Sequence, residues 1–278
     1  MIRQGSDESG PRPGRRPEGA AGELWYVYAV SRAEEAPAPP PDGPPGLTAV
    51  TEAGLAALAS PVPAAEFGEG PLRERLEDLA WLERTARGHQ RVVNALAASG
   101  RCVVPLRLAT VCLDPDGVRR LLAEHRERFA AAVERLDGRA EWGVKIYAAA
   151  PQAEQPEDPP GTGNVPSGRD YLRRRARQRR SAEEGWREVR ARAHEAHTAL
   201  AGAAERCRLH PPQDPRLSGE SGQNLLNGAY LVPRTREDPF RALVAELAGT
   251  LPGVRLSLTG PWVPYSFAGL AGSPGAAP

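Results

Sequence analysis

The sequence predicts an α+β protein of two domains. An N-terminal α+β domain spans 23–137, and a C-terminal ferredoxin-like βαββαβ domain with a long helix spans 138–270. Three observations predict this. The first half mixes apolar residues at strand-like and at helix-like spacing. The second half repeats the two patterns in the order strand, helix, strand, strand, helix, strand. Pro/Gly-rich stretches at 1–22, 36–46, 151–168, 211–222 and 271–278 punctuate the chain. Of these, 1–22 is expected as a disordered arm, 151–168 as a linker and 271–278 as a disordered tail.

Each element follows from its own pattern. ELWYVYAV at 23–30 is rich in aromatic and β-branched residues and reads as a strand. Two short apolar runs, 47–50 and 55–59, read as strands after the proline loop. Leu72, Leu76, Leu79, Leu82, Ala86, His89, Val93 and Leu96 recur at steps of three and four. They predict one helix over 71–99, stopped by Gly100. A strand is expected over 101–112. Asp114-Pro115 then caps a helix carrying Val118, Leu121, Leu122, Phe129, Val133 and Leu136, stopped by Gly138. The second half reads as strand 140–149, helix 169–208, extended segment 214–219, strand 224–233, helix 237–250 and strand 253–260. Ser218 and Gly219 interrupt the pattern of the segment 214–219. Along the long helix, Ala182, Trp186, Val189, Ala193, Ala196, Leu200, Ala203 and Cys207 alternate steps of four and three, a seam of coiled-coil period. Such a seam serves a partner helix or packs within the chain, and its short length favours the second.

Composition narrows the function classes. The mean hydropathy is −0.47. No apolar run approaches the roughly 18 residues that span a bilayer, and the N-terminus lacks the apolar core of a secretory signal. A cytoplasmic location is the expectation. Three cysteines without a C-x-x-C pair argue against a disulfide framework or structural zinc. A net charge of +1 excludes a globally basic nucleic-acid binder, though not a local patch. Lys145 is the only lysine, and abundant Ala, Gly, Pro and Arg beside it fit GC-rich coding rather than phosphate recognition.

Four constellations bear on chemistry. His89 lies on the apolar face of the 71–99 helix, where a core histidine donating to a backbone carbonyl is expected. A general base would need a nucleophile within reach. His194 and His197 stand at i, i+3 without a third ligand and are expected as a solvated pair. The stretch 169–192 holds ten arginines against four acids. Its run at 169–180 suits a phosphate backbone or an acidic partner, against a solvated helix face. Arg107 sits among apolar residues and is expected to be paired, with Glu141 a candidate by charge. Two alternative readings follow, a cytosolic enzyme using His89 and Arg107 and a nucleic-acid adaptor using 169–180. No nucleophile elbow or phosphate-cradling loop accompanies either.

At 256–270 the chain reads LSLTGPWVPYSFAGL. Pro261 and Pro264 forbid a central strand or a helix, so an extended strap burying Trp262, Tyr265 and Phe267 is expected, with an exposed aromatic contact surface as the rival reading. This stretch resembles the GPWPPYSF signature of the gas vesicle protein F/L family. YVYAV at 26–30, His89 at its helix, VVPLRLATVC at 103–112, EWGVKIY at 141–147, Tyr171-Leu172 and LNGAYLV at 226–232 fit the same family in the same order. The resemblance covers 24–270. Two departures are Leu108-Ala109, where the family usually has Phe-Gly, and Val263-Pro264, where it often has Pro-Pro.

The resemblance implies a non-enzymatic accessory protein of gas vesicle assembly, without cofactor or metal, located with the gas vesicle in the cytoplasm. Its implied partners are the small hydrophobic shell protein and other accessory proteins, not nucleic acid or membrane. The family-motif positions, structural or partner-binding, begin with His89, Pro105, Arg107 and Thr110. Glu141, Trp142, Gly143, Val144 and Lys145 follow, then Asn227 and Gly228. The last group is Gly260, Pro261, Trp262, Pro264, Tyr265, Ser266 and Phe267.

Overall fold

The computed structural model describes residues 22–149, 168–212 and 222–269. Apart from Gly22 and Gly168, the expected arm, linker and tail lie outside the described residues, as does the segment 214–219. The chain is mixed α/β, with two antiparallel sheets.

The first sheet is built on β1 (Glu23–Arg32), which pairs with β3 (Leu55–Pro63) along its length. β2 (Thr48–Glu52) pairs with the outer side of β3. The two-residue strands β4 (Val104–Pro105) and β5 (Val111–Cys112) pair with the other side of β1. Both faces of this sheet are covered, and β1 is accordingly buried without a break from Tyr26 to Ser31. Tyr26, Tyr28 and Leu58 pack against Trp81, Val92, Val93 and Leu96 of α3 (Leu79–Ala97). Val27, Val30 and Ala57 pack against Val118 and Leu122 of α4 (Pro115–Glu124) and Phe129 of α5 (Arg126–Leu136). Short helices α1 (Ala64–Phe67) and α2 (Glu69–Arg75) precede α3.

The second sheet has the order β7-β8-β6-β9, formed by β6 (Arg139–Ala148), β7 (Arg206–His210), β8 (Asn224–Pro233) and β9 (Val254–Trp262). α6 (Gly168–Ala203) lies between β6 and β7 in the chain, and α7 (Glu237–Thr250) between β8 and β9. Trp142, Val144, Ile146, Tyr230 and Val232 line one face and pack on Ala193, Ala196 and Leu200 of α6 and on Phe240 and Val244 of α7. The opposite face presents Ala229 and Leu231 to Ala132, Val133 and Leu136 of α5. α5 is thereby shared between the two sheets.

Four expectations are corrected. The helix over 71–99 is two helices, because the Asp78 carboxylate accepts from the N–H groups of Ala80 (3.0 Å) and Trp81 (3.1 Å) and starts α3 afresh. Leu76 and Leu79 are consequently exposed, and Trp81 takes the buried position. The helix after Asp114 breaks at His125, whose backbone leaves helical geometry. The strand over 101–112 is only its two ends, β4 and β5, around a turn at Leu108-Ala109. The long helix stops at Ala203, so Cys207 belongs to β7 rather than to the helical seam.

Ala109 sits in that turn at φ 60°, the region that favours glycine. This is the position where the family pattern usually has glycine. Left-handed backbone costs a non-glycine residue about 1–2 kcal/mol, of which glycine's greater freedom in the unfolded chain cancels part. Ala109→Gly should therefore stabilise the protein by about 0.5–1 kcal/mol and raise the melting temperature by calorimetry. A lower melting temperature would mean that the Ala109 methyl group's packing against the first core outweighs the strain.

Candidate functional site

The motif positions converge on the chain's return path after β9. β9 is an edge strand, so Pro261 withholds no N–H from a neighbour and the strand runs on through Trp262. An edge position is compatible with prolines that forbid a central strand, and the strand expected over 253–260 extends two residues further. The register slips by one residue where Thr259 faces Gly143 but Trp262 faces Glu141. Gly260 makes the slip possible. Its φ is 122°, and a Cβ there would stand 2.9 Å from the Glu141 carbonyl oxygen. Val263 then enters the first core beside Tyr26, Tyr28 and Trp81. A single 3-10 turn, Tyr265–Phe267, follows, and Phe267 and Ala268 enter the core between α5 and β8.

Two polar anchors hold this strap. At the first, Ser266 donates its hydroxyl to Glu141 Oε1 (2.7 Å) and its N–H to Oε2 (2.8 Å). His210 Nε2 lies 3.1 Å from the same hydroxyl, and Arg208 donates to the Ser266 carbonyl at 2.9 Å. Arg135 of α5 donates to the Phe267 and Ala268 carbonyls, each at 3.3 Å. Burial raises the Glu141 pKa above the ordinary carboxylate value, while the Ser266 bonds pull it back. Glu141 thus pairs with the strap, not with Arg107, which is exposed at the turn before Thr110.

At the second anchor, His89 is 5% exposed, and its Nδ1 lies 2.9 Å from the Tyr26 hydroxyl. Tyr26 also accepts from the Ala109 N–H at 3.0 Å, so its own proton is free for Nδ1. That assigns the imidazole proton to Nε2, which is buried without a hydrogen-bond partner among the described residues. The ring stacks on Tyr28 at 5.7 Å and meets the Tyr265 ring of the strap at 6.1 Å. Tyr28 reaches Ser60 Oγ at 3.2 Å. Burial pushes the His89 pKa down to about 4, so the ring is neutral at pH 7. Burial also raises the Tyr26 and Tyr265 phenols.

The strap's aromatics divide. Phe267 is buried as expected, but Trp262 is 42% and Tyr265 38% exposed, which corrects the expectation that all three are enclosed. The Tyr265 phenol end is the desolvated part, close enough to act on Tyr26 electrostatically, and the exposed part faces out. Trp262 borders a groove of about 520 Å³ lined also by Asn94, Ala97, Ala98, Arg234, Pro261 and Val263.

The remaining motif residues take these places in the fold. Pro105 pairs with Ala29, and the Thr110 hydroxyl closes its turn on the Arg107 carbonyl at 2.9 Å. Trp142 and Val144 are core, and Lys145 lies on the opposite face of β6. Asn227 donates to the Pro211 carbonyl at 3.4 Å. A Cβ on Gly228 would meet the Tyr230 ring at 2.8 Å, so glycine gives that ring its place, from which its hydroxyl reaches His197 Nδ1 at 2.8 Å. His197 is therefore tied to the sheet and is not half of a solvated pair with exposed His194. Among the described residues no group of His, Cys, Asp and Glu could hold a metal ion.

The chain matches the family described as gas vesicle synthesis protein GvpL/GvpF over residues 24–269. It belongs to that family. A relative called gas vesicle protein L, from Streptomyces sp. strain CB03234, is 49% identical over 89% of this chain and 94% of its own length. Gas vesicle protein F of the same strain is 28% identical over 87% and 98%. The fold is shared with crystal structures of GvpF from Anabaena sp. PCC7120 (TM-score 0.60, 17% identity, 92% of this chain and all of that one) and from Microcystis aeruginosa (TM-score 0.56, 18%, 90% and all). Membership of the GvpL/GvpF family gives the chain a gas vesicle-related role.

Sequence reasoning missed Tyr26, Tyr28, Ser60, Arg135, Arg208 and His210. The two tyrosines carried a usable signal: buried among valines, their hydroxyls require partners. The others meet the strap only through tertiary structure.

His89 makes stability pH-dependent. Its folded pKa, about 4, lies below the unfolded value of 6.5. Its contribution is therefore complete above pH 6.5 and is lost as pH falls from 6.5 to 4, up to about 3 kcal/mol. Glu141, with its pKa raised, works in the opposite direction. Urea midpoints from pH 7.5 to 4.5 should fall more steeply for wild type than for His89→Gln, a difference in which the Glu141 contribution cancels. Equal slopes would refute the assignment.

Proposed function

We propose that this protein is an L-type, non-enzymatic accessory protein that binds the hydrophobic shell protein during gas vesicle assembly in the cytoplasm. The single observation that carries the binding surface is the strap's division of labour. Its backbone and one face are locked by Glu141, Arg135 and Arg208, yet part of Tyr265 stays exposed, and so does Trp262, beside a groove lined by Ala97, Ala98 and Val263 with Asn94 and Arg234. Monomeric proteins rarely leave large aromatics clustered on a rigid surface without a partner. A shell protein that would aggregate through its own apolar surface gains cover from such a patch. The L-type reading rests on 49% identity to the L relative against 28% to the F relative of the same strain. We further read the chain as two domains, 23–137 and 138–270. The sheet order of the second supports a ferredoxin-like assignment, with β8 set between β6 and β7 and antiparallel to both. The enzyme reading has less support, since His89 is neutral and bonded to a phenol whose own proton affinity is raised.

Co-expression with the small shell protein and affinity capture tests the surface. Trp262→Ala should melt within a few degrees of wild type and lose shell-protein capture, since an exposed aromatic hot spot is worth about 2 kcal/mol or more, roughly 30-fold in affinity. A stable variant that still captures the shell protein as wild type does would overturn it. A variant that unfolds would return Trp262 to a structural role.

A further inference from the structure

The N-terminal half of α6 stands free. Its last packed side chains are Val189, against Gly253, and Arg192, which donates to the Pro252 carbonyl at 3.0 Å. From 171 to 188 every side chain is exposed, including Tyr171 (56%), Leu172 (66%) and Trp186 (41%). At 1.5 Å per residue this free rod is about 27 Å long.

The rod is not a uniformly polar helix. Leu172, Arg175, Arg179, Ala182, Trp186 and Val189 follow alternating steps of three and four, and the same series continues into Ala193, Ala196 and Leu200. Those last three are 3%, 0% and 0% exposed and pack on the second sheet and α7. One seam of coiled-coil period therefore runs the length of α6, covered by this chain at one end and bare at the other. In the bare part Leu172, Ala182 and Trp186 are apolar, and Arg175 and Arg179 interrupt them with positive charge. The surrounding helix adds more, with seven arginines against one acid over 169–180.

We propose that this bare seam docks an amphipathic helix of another protein, one that sets acidic residues against Arg175 and Arg179 and apolar residues against Leu172, Ala182 and Trp186. The inference is independent of the proposed shell-protein surface, which lies at the strap. Charge selects the occupant. A second copy of this chain would bring a second arginine run of the same sign, and like charges facing each other repel. A nucleic-acid backbone would satisfy the arginines but leave Trp186 and the apolar continuation of the seam in water. An acidic helix answers both requirements and extends a packing surface whose inner end is already formed.

The test uses the full chain and a synthetic peptide of about four heptads, with leucine and alanine at the seam positions and glutamate beside them. Wild type should bind it, more weakly as salt is raised. Arg175→Glu with Arg179→Glu should lose roughly tenfold or more in affinity. Trp186→Ala should also weaken binding. Arg174→Glu with Arg177→Glu, the same change in net charge off the seam, should cost far less. All variants should keep the wild-type melting temperature, because this half of α6 packs on no other described element. Equal losses from the seam and off-seam pairs would overturn the proposal. So would preferential binding of a DNA duplex, an RNA hairpin or anionic vesicles over the peptide, or concentration-dependent self-association that Trp186→Ala abolishes.

Discussion

The bond between Ser266 and Glu141 is the constraint on which the rest of the architecture depends. Glu141 lies on the face of β6 that turns towards α5, and a carboxylate there loses its water. It must be given donors or the second sheet cannot close against the first half. Only the last described turn of the chain supplies them, through both the N–H and the hydroxyl of Ser266. Satisfying one half-buried acid therefore fixes the path of the strap. Arg208, His210 and Arg135 then close on the backbone and hydroxyl that the acid has positioned.

The consequence is mechanical. Val263 belongs to the core under α3, and Phe267 and Ala268 belong to the core between α5 and β8. A segment of a few residues thus ties both sheets, and α5 packs on both as well. His89 and Tyr265 form the far end of the same tie, where a histidine kept neutral by burial is held between two tyrosines of β1 and one of the strap. A frame tied in this way would present Trp262 at low entropic cost to the proposed partner.

The legibility of this arrangement in the sequence was uneven, for physical reasons. Elements defined by local pattern were read close to their observed positions: β1, β3, β6, β8, α7 and β9 all follow from periodicity and breakers. Breaks inside helices were not, because Asp78 as a cap competes with an unbroken three-four pattern and only the geometry decides. β7 was read as helix because Cys207 happens to continue the seam of α6, while pairing with β8 claims it. The motif residues converge on the strap, but the partners of Glu141 and His89 could not be read. Their bonds span 125 and 63 positions of the chain, and no local rule links residues at that separation. Arg107 shows the same limit: an arginine among apolar neighbours reads as buried, yet the turn at Ala109 lifts it into solvent.

What remains unburied is as ordered as what is buried. The aromatic edge of the strap and the bare seam of α6 lie on different elements and have different chemistry, one apolar beside small residues, the other apolar and strongly basic. Both are continuations of packed structure rather than isolated exposed side chains: Trp262 is the last residue of β9, and Trp186 sits one step of three before Val189, where α6 meets the sheet. An exposed tryptophan at such a boundary is held in place by what is folded behind it, so a partner meets a preformed surface. Were both proposed surfaces occupied, one chain would hold two unlike partners at once, each recognised by its own chemistry.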